Sequence, residues 1–142
     1  MSQGSLRSLA GDVRKPVPAM ASGAQFDRAR FDHIGVVTDE RQEGESWVEA
    51  TRVWVTSPRA HPYNVEFLRF EPDTPVTGPL RTEPHVAYRV DDIETALRGH
   101  KVLLEPFPPA PDPDFLTVAF VQVGSAVVEF MQYRDPEEEG WF

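Results

Sequence analysis

A single carboxylate interrupts an otherwise apolar, strand-like run at two places in the chain: Glu66 in YNVEFLRF (residues 63–70) and Glu129 in AVVEFMQY (126–133). Burying a charged carboxylate without a partner costs several kcal/mol, so such groups are paired, protonated or bound to metal. Each run closes a β-rich stretch that opens on a strand-like run with a histidine near its start, FDHIGVV (31–37) and HVAYRV (85–90). The doubled pattern constrains the chain to two similar β-rich halves. Side chains alternate across a strand. Glu66 is therefore expected to share a face with Asn64, Leu68 and Phe70, and Glu129 with Val127, Met131 and Tyr133. His33 joins Phe31, Gly35 and Val37; His85 joins Ala87 and Arg89. The opposite faces (Ile34 and Val36; Val86, Tyr88 and Val90) are apolar and suit packing against a helix or a partner sheet. His33, Glu66, His85 and Glu129 would then meet on one concave surface.

Other runs fill the frame. Residues 47–56 (WVEATRVWVT) are expected as one strand, 101–105 as a strand ending at Pro106, and 116–123 as a strand joined to 126–133 by a Gly124–Ser125 hairpin turn. The DDIETALRG segment (91–99) predicts a short helix capped by Asp91 or Asp92, with Ile93, Ala96 and Leu97 on its buried face and Gly99 ending it. A Pro/Gly-rich connector, 71–79, separates the halves. Only about eight polar residues, 39–46, join the first two strands, so the first half lacks the helix of the second. Residues 1–25, rich in Ser, Gly, Ala and Pro, read as a mobile extension with no secretory apolar core, and Met20 is an alternative start. The folded domain is expected over 26–134, followed by an acidic tail, 135–142.

The formal net charge of −9 opposes binding to nucleic acid or to an acidic membrane surface. No apolar run approaches the roughly 20 residues that span a bilayer, and a cytoplasmic location is expected. With no cysteine, a metal must be held by His, Asp or Glu. Two imidazoles and two carboxylates suit Zn²⁺, Ni²⁺, Mn²⁺, Co²⁺ or Fe²⁺. His61 and His100 sit in turn-like contexts and stay outside this set. Trp47 and Trp54 are candidates to line a pocket.

The motifs FDHIGVV, VEFLRFEPD, PHVAYRVDDIETAL and AVVEFMQY resemble the vicinal-oxygen-chelate superfamily, which includes glyoxalase I, methylmalonyl-CoA epimerase, fosfomycin-resistance enzymes, extradiol dioxygenases and bleomycin-resistance proteins. The resemblance covers about residues 30–133. It implies an α+β fold of two pseudo-repeated βαβββ-type modules, the first shortened, forming a curved mixed sheet around a metal cleft. It maps the metal ligands onto His33, Glu66, His85 and Glu129 and implies a homodimer. The shortened first half removes wall elements that would shape a glutathione pocket. The expected activity is that of a divalent-metal-dependent isomerase, epimerase or lyase on a small molecule with neighbouring oxygens. Glu129 is the favoured general base and Glu66 has the mirrored role. The alternatives are a metal-free protein that sequesters a cationic ligand, as in the bleomycin-resistance branch, and an Fe(II) dioxygenase, which would prefer two His and one carboxylate.

Overall fold

The computed structural model describes residues 12–14 and 30–141. In chain order the strands are β1 (Asp12–Val13), β2 (Phe31–Val37), β3 (Ser46–Val48), β4 (Val53–Val55), β5 (Val65–Phe70), β6 (His85–Arg89), β7 (Lys101–Phe107), β8 (Leu116–Val123) and β9 (Ala126–Tyr133). Two short helices join them, α1 (Pro79–Thr82) and α2 (Ile93–Leu97), with a 3₁₀ turn at Pro58–Ala60. All nine strands form one mixed sheet in the order β1-β7-β8-β9-β6-β2-β5-β4-β3. The architecture is α+β with a curved sheet, as expected. At its centre β2 and β6 pair antiparallel. Outward from that pair the connections match: β2 lies parallel to β5, which continues antiparallel into β4 and β3. On the other side β6 lies parallel to β9, which continues antiparallel into β8 and β7.

The sheet curls because its two ends share a core. Val53 and Val55 of β4 cluster with Leu104 of β7 and with Val118 and Phe120 of β8, although four strands lie between β4 and β8 and five between β4 and β7. The convex side is covered in two different ways. On the second half, α2 lays Ile93 and Leu97 over Val102, Ala119, Val121 and Phe130. The first half has no helix between β2 and β3, as the short 39–46 connection requires. There the outward side chains of β3, β4 and β5 build their own layer. Trp47 and Trp54 pack with ring centroids 4.9 Å apart. Arg52 lies over Trp47 at 5.1 Å and Arg69 over Trp54 at 5.7 Å. The indole N–H groups donate to Glu49 and Glu71 at 2.8 and 2.9 Å. The two tryptophans are thus on the face opposite the cleft and do not line a pocket there.

Several boundaries differ from expectation. Residues 47–56 are two short strands with a turn between them, and Arg52 closes it at a φ of +48°. No Gly or Pro marks that turn, so the β-branched residues on both sides read as continuous. The 63–70 strand begins only at Val65, because Asn64 takes a φ of +56°. The connector contains α1, opened by Pro79 after Gly78, where proline is well placed at a first helical position. Strand β7 runs on through Pro106, where a register irregularity against β8 accommodates the missing N–H. The 124–125 turn and the helix at 93–97 appear where expected, with Gly124 and Gly99 at positive φ. The Asp92 carboxylate, however, accepts from the Thr95 hydroxyl instead of capping a backbone N–H, and Gln132 accepts from the Ile93 N–H. The expected mobile extension, 1–25, lies outside the described residues except for 12–14. These pair along β7, and the Arg14 guanidinium binds Glu105. Among the described residues no helix is long and apolar enough to cross a membrane.

Leu97 is fully buried and is the main anchor of α2 on the sheet. Leu97→Ala is expected to lower the unfolding free energy by about 2–5 kcal/mol, read as a lower urea midpoint with an unchanged slope when unfolding is followed by tryptophan fluorescence.

Candidate metal centre

The four residues read from the sequence converge. His33 on β2, Glu66 on β5, His85 on β6 and Glu129 on β9 each bring one donor atom to within 4.8 Å of all the others. All are buried; none is more than 4% exposed. The strand pairings place them there. Glu66 stands across from Gly35, Glu129 from Ala87, and His85 from Gly35 in the central ladder.

The geometry is that of ligands around a shared point. His33 Nε2 lies 3.3 Å from Glu66 Oε1 and 3.2 Å from Glu129 Oε1. His85 Nε2 lies 3.4 and 3.1 Å from the same two atoms. Yet neither Nε2 makes a hydrogen bond of acceptable direction. Donor atoms about 2.0–2.2 Å from one ion stand roughly 2.8–3.6 Å from one another at tetrahedral or neighbouring octahedral positions. The observed separations fall in that range, and the two unsatisfied nitrogens fit a cation between the four groups. The residues could therefore hold a metal ion.

In the protein alone, these groups perturb one another. Burial disfavours the charged carboxylate of Glu66, but the neighbouring His33 and His85 outweigh it and hold its pKa down at about 2. Burial likewise disfavours a charged imidazole on His33 and His85, and the adjacent carboxylates overcome it, so both are raised.

Asp32 is a site residue that sequence reasoning missed. Strict alternation would turn it away from His33. Instead the β2/β6 register slips between Phe31 and His33. The slip places Asp32 and His33 side by side inside, while Phe31 and Ile34 face outward at 40% and 38% exposure. The expected common face of His33 and Phe31 is therefore corrected: a bulge separates them. Asp32 Oδ2 sits 2.7 Å from His33 Nδ1, an arrangement that fixes the ring so that Nε2 points at the centre. Arg59 donates to Asp32 Oδ2 at 2.9 Å and Arg89 to Oδ1 at 3.2 Å. Burial alone would raise Asp32; His33 and the two arginines outweigh it and hold its carboxyl below the usual range.

Two further features shape the site. A Cβ at Gly35 would lie inside the His85 ring, so the imidazole rests directly on the β2 backbone. The chain's acidic tail also returns to the cleft. The Glu138 carbonyl accepts from Arg89, and Trp141 stacks edge-on against His33 at 5.4 Å. The acidic side chains of the tail are largely exposed, whereas Trp141 is part of the site. Tyr133 is buried behind it against Phe115 and Arg89. His61 and His100 stand outside the cluster.

No family model matches the chain, and no curated protein matches it. Among solved structures, the chain is similar to a hypothetical protein, BH1468, from Bacillus halodurans C-125. The two share 19% identity with a TM-score of 0.55, over 76% of this chain and 96% of that one. At that identity the similarity is one of fold.

Gly35→Ala is expected to fold, because an alanine is tolerated in an extended strand, but to displace His85. Its Co²⁺ complex should lose the visible absorption of a four-residue protein site. Asp32→Asn should weaken Co²⁺ binding about 10–100-fold by freeing the His33 ring, measured by titration in the same band.

Proposed function

We propose that the protein is a divalent-metal-dependent isomerase, epimerase or lyase of the vicinal-oxygen-chelate type, acting on a small molecule with neighbouring oxygens. The observation that carries this reading is the set of four N···O separations of 3.1–3.4 Å whose imidazole nitrogens have no hydrogen-bond partner. The curved mixed sheet supports it. Bound at His33, Glu66, His85 and Glu129, the ion would supply Lewis acidity to a substrate oxygen.

The proton chemistry falls to the carboxylates. Glu66 and Glu129 both line the cavity that opens beside the cluster, whereas His33 and His85 stand behind them. A substrate in that cavity meets two carboxylates from opposite halves of the sheet. Glu129 takes the proton from the carbon next to a carbonyl; Glu66 returns it from the other side in an epimerase or isomerase. The apolar walls exclude water and strengthen the electrostatics of that transfer. All four ligands come from one chain, so the ligand set needs no second copy. A homodimer is nevertheless part of the proposal. The outer face of β2 carries the exposed Phe31 and Ile34, while α2 packs on β7, β8 and β9.

Purified protein reconstituted with Zn²⁺, Ni²⁺, Mn²⁺ or Co²⁺ is expected to retain one ion per chain, and His85→Ala to lose it. The loaded protein should exchange solvent deuterium into 2-hydroxyacetophenone, and Glu129→Gln should slow this at least 100-fold, within the range general-base catalysis supplies. Oxygen consumption dependent on Fe²⁺, or no retained metal after reconstitution, would overturn the assignment. Light scattering at micromolar concentration is expected to give twice the chain mass; a strict monomer would remove the dimer.

A further inference from the structure

We infer that the site selects ligands with an uncharged, apolar body attached to the chelating head, and rejects those carrying a second anionic group. This rests on the metal reading above and narrows its substrate class. The cavity next to Glu66 and Glu129 has an empty volume of about 460 Å³ including its mouth. Apart from those two carboxylates and Thr51, it is walled by hydrophobic and aromatic side chains. Val55 and Leu68 come from one half of the sheet, Leu104 and Phe120 from the other, Leu80 from α1, and Trp141 from the returning tail.

Among the described residues no arginine or lysine lines the cavity, so a phosphate, sulfonate or peptide carboxylate there would be desolvated without a partner. The centre offers no surplus positive charge either. A divalent cation is balanced by Glu66 and Glu129, and the two arginines that meet Asp32 behind His33 are not part of the cavity lining. The chain as a whole is strongly acidic, which adds to the repulsion of anions. An apolar body, in contrast, gains from leaving water in proportion to the area it buries.

Three hydroxamic acids with the same chelating head test this on Zn²⁺-loaded protein by titration calorimetry. Benzohydroxamic acid is expected to bind at least tenfold tighter than acetohydroxamic acid. 4-Sulfobenzohydroxamic acid should be at least tenfold weaker than the benzo compound. Val55→Trp, which fills the cavity, should erase the preference for the phenyl group and leave Zn²⁺ stoichiometry unchanged. Equal affinities, or tightest binding of the sulfonate, would overturn the inference while the metal reading stands. Should the protein retain no Zn²⁺, the metal reading fails separately, and toluene titrated into the metal-free protein still decides on the cavity. Shifts of the Val55, Leu80 and Leu104 methyl resonances are then expected, and their absence overturns the inference.

Discussion

Four ionisable side chains lie almost inaccessible to water in the middle of an apolar core, and the fold depends on satisfying them together. Removing any one leaves the remaining charges unbalanced, which is far more costly than the net worth of the intact cluster. Two carboxylates and two imidazoles at 3.1–3.4 Å already compensate one another in charge. Their directions, however, leave both Nε2 atoms unsatisfied. That residual misfit sets the cluster apart from an ordinary buried ion-pair network, where hydrogens would point at their acceptors, and leaves it able to hold a cation. The central β2/β6 pairing is what makes the arrangement possible. It sets the two histidine-bearing strands side by side, with each glutamate-bearing strand flanking its own partner in parallel.

Much of this was legible because period-2 alternation needs no long-range information. A lone Glu between valines or phenylalanines must face somewhere, and the flanking residues name its face. The four clustered residues, the hairpin at Gly124 and the short helix at 93–97 follow from such local signals. Asp32 was not legible, because its inward turn comes from a bulge that only the neighbouring strand β6 reveals. The same holds for β7, where Val102 and Leu104 share a parity yet lie in different cores across a register shift. The break at 49–52 was hidden because Arg52 adopts a left-handed conformation that its residue type does not advertise. Trp141 could not be placed at the cleft, since a tail of Asp, Pro and Glu has no period to show where its aromatic end lands.

The convex surface shows two solutions to one problem. An amphipathic helix covers three strands of the second half with aliphatic side chains. Across from it, a Trp–Trp pair flanked by two arginines and tied by four acidic residues covers the strands that have no helix over them. The second solution uses broad rings and arginine stems to shield the sheet while keeping the charged heads in water. It also accounts for part of the acidic and basic composition that a sequence reading assigns to solvated loops. Arg69, held by two bonds to the nearly buried Glu45 side chain, is as much a packing element as a surface charge.

Gly35 carries a consequence for how chains of this kind change over time. Its lack of a side chain is set by the imidazole lying across it, not by an unusual backbone angle, so no substitution at that position leaves His85 where it is. The pair His33 and Gly35, two apart on one strand, is consequently a joint requirement: one supplies a donor and the other makes room for a donor from the next strand. Substitution elsewhere in the sheet does not free this pair while the cluster is kept. A histidine followed two residues later by alanine or serine at the same place in such a sheet would therefore mark a chain that cannot hold the four-residue cluster in this arrangement.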